Sequence, residues 1–133
     1  MLSLPQTAEY ALRAVNYIAA APVGESRRVA EIARAIKVPR NYLSKTLHQL
    51  AQVGVLQSTR GPTGGFQLAV DAERLTLAEV IGPFMPVDGR ACVLGRTRCS
   101  DAAPCAAHHR WKPIGVMLTA FFGATTIADL KRD

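Results

Sequence analysis

The sequence lacks the long apolar run that a membrane span requires. No stretch reaches the roughly 18 consecutive apolar residues of a transmembrane helix, so we expect no membrane partner. The first residues, 1–6, do not place a basic segment before an apolar one, and they do not resemble a signal peptide. Both absences predict a cytoplasmic protein. No internal repeat and no low-complexity tract divides the chain, which favours one small domain with an appended element.

The sequence also lacks the signatures of an enzyme. Its serines, histidines and acids fall into no recognisable catalytic order, and no phosphate-binding glycine loop precedes a helix. Acidic residues are scarce as well: 10 aspartates and glutamates face 16 lysines and arginines, for a net charge of +6. The excess of positive charge suggests a polyanionic partner. We therefore expect a binding protein that is not an enzyme.

Cysteine is rare, but the three cysteines of the chain lie together between Cys92 and His108. An odd number in a reducing compartment argues against a disulfide framework. Six residues separate Cys92 from Cys99, five separate Cys99 from Cys105, and His108 follows three positions later. Glycine, proline, serine and aspartate between them predict a loop. Three thiols and an imidazole in one loop can bind a soft metal or an iron–sulfur cluster, and three unrelated cysteines are the alternative.

The order of the predicted elements is that of a winged helix-turn-helix. Apolar spacing, caps and turn residues predict helices over 7–21, 28–36 and 40–53, strands over 55–58 and 66–70, a helix that begins at Thr76, and helices over 109–122 and 126–130. Thr7 is the expected N-cap of the first helix, and Thr76 forms a capping box with Glu79. Tyr42 is expected on the core side of the third helix. We predict a mainly α fold with a small β-hairpin and a long C-terminal dimerisation helix.

The third helix and the hairpin supply the candidate DNA contacts. The polar face of the helix carries an asparagine, which can read adenine, and a lysine, which can donate to guanine. Arg60 stands at the hairpin tip among residues without bulk, where it can enter a narrow minor groove. The alternatives are a solvated helix face and a plain glycine-rich turn. The expected DNA-binding residues are Arg40, Asn41, Ser44, Lys45, His48, Arg60, Gly61, Thr63 and Gly64.

The helix over 109–122 carries more large apolar residues than one buried side can hold. Trp111, Phe121 and Phe122 exceed the need of so small a domain, and a second copy of the chain is the expected cover. A homodimer suits a palindromic operator, because the symmetry of the DNA then matches that of the protein. We expect three units: a DNA-binding domain over 1–82, a cysteine loop over 83–108, and the dimerisation and C-terminal helices over 109–133.

Together these motifs resemble the Rrf-two family of bacterial winged-helix regulators, with its IscR-like, NsrR-like and RirA-like members. The similar segments are Thr7–Arg13, Asn41–Lys45, Ser58–Ala69, Leu75–Ile81, the three cysteines, Trp111 and Thr126–Leu130. The resemblance implies a homodimer whose binding to double-stranded DNA is controlled by an iron–sulfur cluster, of the 2Fe–2S or 4Fe–4S type. The implied function is a transcriptional regulator, expected to be a repressor, that senses nitric oxide, iron or redox state.

The resemblance also implies the cluster ligands. The three cysteines supply three of them, and the fourth differs between subgroups. His108 stands where IscR-like members carry a histidine, and Glu9 stands where NsrR-like members carry an acid from the partner's first helix. The first cysteine interval is one residue longer than usual, so the cluster type and the choice between His108 and Glu9 stay open. Ser44 replaces a DNA-reading glutamate of IscR-like members, so their operator preference is not carried over. The alternative function is a zinc-containing or metal-free regulator with a thiol/disulfide switch.

Overall fold

The chain folds into six helices and one two-stranded sheet within residues 4–87 and 92–130, which the computed structural model describes. In chain order the elements are α1 (Gln6–Ala19), α2 (Val29–Ile36), α3 (Arg40–Gln52), β1 (Leu56–Thr59), β2 (Gly65–Leu68), α4 (Leu77–Ile81), α5 (His108–Ala124) and α6 (Ile127–Leu130). The predicted fold class is confirmed. Residues 88–91 of the predicted cysteine loop, and 1–3 and 131–133 of the two other predicted units, lie outside the described residues. In the described part of the chain, no helix has the length and apolar character needed to cross a bilayer.

Helix α1 lies at the centre of the core because its buried face is built from small residues. Ala8, Ala11 and Ala14 are fully buried, and they let α2, α3, α4 and α6 approach this helix closely. The larger side chains that fill the core include Ile32, Leu43, Leu47, Leu50, Leu75, Val80 and Ile127. Through Ile127, helix α6 joins the core formed by α1 to α4, which includes the part predicted to bind DNA. The predicted division into three units stays a prediction, and α6 shares a core with the first of them.

The hairpin, here called the wing (residues 56–68), is held to the body of the protein from two sides. Its strands are antiparallel, with Leu56 opposite Leu68. The backbone of Arg27 exchanges hydrogen bonds of 2.8 Å with that of Phe66, which extends the sheet towards the start of α2. The ring of Phe66 is buried and meets the ring of His48 on α3 edge to face. The wing is therefore fixed relative to α3.

Gly65 makes the close approach of Arg27 possible, and its replacement by alanine should loosen the wing. The backbone of Gly65 has φ +152°, and an added methyl group would lie 2.3 Å from the carbonyl oxygen of Arg27. We expect Gly65→Ala to lower the free energy of unfolding by about 2–4 kcal/mol. Urea unfolding measures the change. Gly61→Ala is the matched control, because Gly61 also has a positive φ of +99° but faces open space. Gly61→Ala should lower the free energy of unfolding by only about 1 kcal/mol. Equal losses of stability in the two variants would refute the role of the close contact with Arg27.

Two local predictions were wrong. Helix α1 begins at Gln6 with Pro5 as its N-cap residue, so Thr7 lies inside the helix and caps nothing. Tyr42 is 65% exposed, although it was expected on the core side of α3. Each residue turns a helix by about 100°, and the buried side of α3 is centred on Leu43, Leu47 and Leu50, so Tyr42 falls beyond its edge. The aromatic ring of Tyr42 suggested a core position. Its exposure is set instead by where Tyr42 lies around the helix axis.

The remaining helix boundaries differ from the predicted ones by one or two residues. Helix α2 begins at Val29, α3 ends at Gln52, and both strands shift by one or two positions. Helix α5 begins at His108 rather than at the following residue, and it contains Pro113. His108 therefore belongs to the dimerisation helix of the prediction as well as to the cysteine loop. The capping box of Thr76 and Glu79 is present as predicted.

Candidate functional site

One exposed stripe of α3 carries three of the predicted DNA-binding residues. Asn41, Lys45 and His48 are four and then three positions apart, which places them one above the other on the side opposite the buried leucines. Arg40 is exposed at the start of the helix, and Ser44 is half-buried beside the stripe. The stripe offers amide, ammonium and imidazole groups and Ser44 adds a hydroxyl, all of which can bond to base edges or phosphates.

The wing tip brings a second set of predicted residues close to the start of α2. Arg60, Gly61 and Thr63 are exposed, and a groove between them and α2 is lined by Arg28, Val29, Ala30, Arg40, Gly61, Pro62, Gly64 and Gly65. Gly64 is buried, and a side chain there would lie 2.4 Å from the carbonyl oxygen of Thr59. Its role is thus to close the turn. The groove combines guanidinium groups with the N-terminus of a helix, which suits phosphate oxygens.

The cysteine loop arranges its donors as two pairs. The Sγ atoms of Cys92 and Cys105 lie 3.6 Å apart, and the Sγ atom of Cys99 lies 3.2 Å from Nδ1 of His108. All three cysteines are free thiols and half-buried. A disulfide would need about 2.05 Å between its sulfurs. Two thiolates on one tetrahedral metal, each about 2.3 Å from it, lie about 3.8 Å apart. The first pair therefore has the spacing of co-ligands.

The environment of Cys92 favours its thiolate. Backbone hydrogen bonding from Arg96 is the largest cause of its lowered pKa, with further contributions from the Leu94 backbone, the Cys105 thiol and the Arg96 charge, while burial opposes them. The guanidinium of Arg96 also donates to the carbonyl oxygen of Ala103 at 2.7 Å, which ties the two halves of the loop together. Thiolate is the form that binds metals and attacks oxidants.

His108 is the most buried of the predicted site residues in the cysteine loop, with 4% of its surface exposed. It lies in the first turn of α5, where its backbone N–H donates to the carbonyl oxygen of Cys105. Its Nε2 atom lies 2.8 Å from Oδ1 of Asp101, which also accepts a bond of 2.6 Å from Nζ of Lys112. Hydrogen bonds from Lys112 and then His108 lower the pKa of Asp101. Sequence reasoning missed Asp101 and Lys112, because neither forms a motif with the cysteines.

The donor set fits a soft metal in its chemistry and in the spacing of Cys92 and Cys105, but the two pairs do not converge on one centre. Within residues 4–87 and 92–130, no three cysteine, histidine or acidic side chains form a group that could hold a metal ion. The two pairs would have to approach each other to share a centre. Glu9, the other predicted fourth ligand, is exposed and forms an ion pair of 3.6 Å with Arg13 on its own helix. Arg13 in turn donates to the carbonyl oxygen of Ile36.

Helix α5 leaves a broad apolar surface exposed. Its buried residues are His108 and Gly115, whereas Ile114, Val116, Met117, Leu118 and Phe121 are all exposed. Four of them, Ile114, Met117, Leu118 and Phe121, share one side of the helix and are called the α5 apolar face below, while Val116 lies on the opposite side. A soluble monomer rarely exposes so many large apolar side chains along one helix. The expectation of a dimer stays a prediction.

The three helices α1 to α3 and the wing define a winged helix-turn-helix protein with an exposed polar stripe on its third helix. A family model described as "Rrf2: Iron-dependent Transcriptional regulator" matches residues 4–133. The chain belongs to this family of DNA-binding transcriptional regulators. The resemblance inferred from the sequence motifs is thereby confirmed.

Relatives and solved structures agree with this assignment. A candidate HTH-type transcriptional regulator of Aquifex aeolicus is 38% identical over 129 residues, which cover 93% of this chain and 88% of that protein. The HTH-type transcriptional regulator IscR of Xenorhabdus nematophila is 30% identical over 79% of this chain and 64% of its own length. In fold, the chain is similar to CymR, the global cysteine regulator of B. subtilis, with a TM-score of 0.82, 21% identity, and coverage of 98% and 96% of the two chains. It is also similar to T. potens IscR, with a TM-score of 0.79, 18% identity, and coverage of 99% and 88%.

Proposed function

We propose that this protein is a dimeric repressor whose binding to a palindromic operator is controlled by an iron–sulfur cluster. Cys92, Cys99, Cys105 and His108 would hold the cluster. The observation that carries the proposal is the pairing of all three thiols and a buried imidazole within one short loop. The family description names iron dependence, and relatives carry the name IscR, which supports the same cofactor. A regulator of transcription acts where the chromosome is, so the cytoplasmic location expected from the sequence stays part of the proposal.

His108 is the better candidate for the fourth ligand. Its Nδ1 atom lies beside Cys99, and its buried ring needs little reorganisation to turn towards a metal. Glu9 would first have to leave Arg13, and that loss would free a cation beside the cluster. When bound, the cluster supplies a centre whose oxidation or nitrosylation changes its charge and ligation.

The loop is well placed to act on the DNA-binding elements. It leads from α4 to α5; α4 packs against both α1 and α5, and α1 packs against α3. A change in loop conformation can therefore move α5, and with it the partner subunit, relative to α3. In a dimer this movement would alter the distance between the two recognition helices, which has to match the half-site spacing of the operator.

Anaerobic reconstitution with iron and sulfide tests the proposal directly. We expect visible absorption bands of a cluster, together with iron and sulfide in the protein after desalting. Operator binding is measured on the same sample before and after exposure to nitric oxide or air. A colourless protein without iron, whose DNA affinity does not respond, would refute cluster control. Stoichiometric zinc in place of iron would favour a structural zinc site instead.

Arg60 should contribute strongly to operator affinity if the wing enters the minor groove. We expect Arg60→Ala to weaken specific binding by about 1–3 kcal/mol, or roughly 5- to 150-fold in Kd, and to reduce the preference for A·T-rich flanks. Fluorescence anisotropy with operators of different flanking sequence measures both effects, and a salt titration separates the loss of one charge from the loss of groove recognition.

Arg74→Ala is a control of the same charge change. Arg74 is exposed in the turn before α4 and belongs neither to α3 nor to the wing. It should leave the flank preference unchanged and weaken binding only slightly. If Arg60→Ala binds every operator as tightly as the wild type across the salt range, the assignment of the wing to the minor groove is wrong.

The 3.6 Å separation of the Cys92 and Cys105 sulfurs favours a second candidate function, a metal-free thiol switch. Hydrogen peroxide is the oxidant for this chemistry. The Cys92 thiolate attacks one peroxide oxygen, the O–O bond breaks, and hydroxide leaves, so that Cys92 becomes a sulfenic acid. The Cys105 thiol then displaces water from that sulfur and forms the disulfide.

Peroxide treatment of the metal-free protein should therefore link Cys92 to Cys105 and leave Cys99 reduced. Peptide mass spectrometry without reductant measures the linkage as the loss of two hydrogen atoms. Cys105→Ser is the matched control, in which the sulfenic acid of Cys92 should accumulate because its partner is missing. A bond between Cys99 and either other cysteine, formed first, would contradict the pairing.

A further inference from the structure

The cysteine loop contains a polar chain that no metal-binding motif requires. It runs from the Sγ atom of Cys99 to Nδ1 of His108, from Nε2 of His108 to Oδ1 of Asp101, and from Oδ1 to Nζ of Lys112, over 3.2, 2.8 and 2.6 Å. His108 and Lys112 are one turn apart on α5, whereas Asp101 belongs to the loop. The carboxylate therefore connects the loop to two neighbouring positions of the helix.

The carboxylate determines which nitrogen of His108 carries the proton. A neutral imidazole donates from one nitrogen and accepts at the other. Because Asp101 is held as an acceptor by the Lys112 ammonium group, Nε2 of His108 has to be the donor in their 2.8 Å contact. The lone pair then lies on Nδ1, on the side of Cys99. Histidines that ligate metals almost always donate their outer N–H to such an acceptor, which fixes the tautomer and the ring orientation.

We propose that Asp101 is a positioning residue, which holds His108 in the tautomer that presents Nδ1 to the cysteines and ties the loop to α5 through His108 and Lys112. The geometry assigns Asp101 no direct contact with a metal. Its effect on metal retention rests on the proposed function, whereas its effect on the tautomer of His108 does not.

The network also borders the α5 apolar face. The groove beside it is lined by Asp101, His108, His109, Lys112, Pro113, Val116 and Met117, so the residues that orient His108 adjoin one member of that face, Met117. A displacement of Asp101 therefore alters the surroundings of both the cysteine pair and the surface expected to bind the partner.

The first experiment measures the tautomer of His108 in the reduced, metal-free protein. Long-range proton–nitrogen NMR correlations of the imidazole, at a pH where the ring is neutral, distinguish Nε2–H from Nδ1–H. We expect the Nε2–H form in the wild type and a mixture in Asp101→Ala. Asp101→Asn keeps an acceptor oxygen and should restore the wild-type tautomer. Asp71→Ala, which removes an exposed carboxylate outside the loop, is the control and should change nothing.

The second experiment measures iron release from the reconstituted protein to a chelator. We expect Asp101→Ala to release iron about 10- to 100-fold faster than the wild type, and Asp101→Asn to release it at a rate closer to the wild type. An unchanged tautomer in Asp101→Ala overturns the proposal, whatever the metal content. An altered tautomer with an unchanged release rate overturns the link to metal retention. An altered tautomer in a protein whose wild type binds no iron supports the positioning role and refutes the cluster.

Discussion

Met117→Glu should convert the protein from a dimer to a monomer. Met117 is 71% exposed and lies one turn before Phe121, which is 51% exposed, in the middle of the α5 apolar face. If a second α5 covers this face, each subunit buries one new carboxylate without a partner, and burying an unpaired charge costs several kcal/mol. We expect the dissociation constant of the dimer to rise by about 100-fold or more, which corresponds to about 3 kcal/mol. Sedimentation velocity at micromolar concentration measures the change.

Operator affinity should fall when dimerisation is lost, because two linked half-site contacts become two independent ones. Val23→Glu is the matched control. Val23 is an apolar residue that is fully exposed, at 105%, in the turn after α1 and outside the α5 apolar face. It should leave both the dimer and operator binding intact. A Met117→Glu protein that stays dimeric at all concentrations, with the wild-type operator affinity, would show that α5 does not form the interface.

Cys99→Ala should abolish retention of the cluster and leave the fold intact. This substitution removes the thiol that lies beside His108, so the second donor pair is lost. Cluster stability depends on every thiolate ligand, and we expect iron content after reconstitution to fall by at least about tenfold. Circular dichroism and the Tm should stay the same, because Cys99 is half-buried in a loop outside the hydrophobic core.

Thr97→Ala controls for disturbance of the loop, since Thr97 is an exposed neighbour that carries no metal donor. It should retain iron at the wild-type level. The same assay decides the fourth ligand: His108→Ala should lose the cluster, while Glu9→Ala should lose only the ion pair with Arg13. Full visible absorption in Cys99→Ala would exclude this cysteine as a ligand, and a greater loss in Glu9→Ala than in His108→Ala would reverse the assignment.

Local sequence signals predicted the elements that depend on neighbouring residues. The capping box of Thr76 and Glu79 was predictable because its two hydrogen bonds, of 3.2 and 3.4 Å, join positions only three residues apart. The wing was predictable from alternating strands around a glycine-rich turn. Thr7 and Tyr42 were placed wrongly because residue type alone suggested their roles. With Pro5 as its N-cap residue, α1 begins two residues earlier than it would with Thr7 in that role, and the packing of the leucines sets the rotation of α3.

By itself the sequence determined the winged helix-turn-helix, the polar stripe on α3, Arg60 at the wing tip and the set of candidate donors, because periodicity, caps and turns act over a few residues. Only the tertiary structure decided how the donors pair. It placed the thiol of Cys92 beside that of Cys105, and the thiol of Cys99 beside the ring of His108. It also brought Asp101 and Lys112 to His108. Contacts of this kind depend on the path of a whole loop against α5, and many loop paths satisfy the same cysteine spacing. For this reason the spacing predicted a site without predicting its geometry.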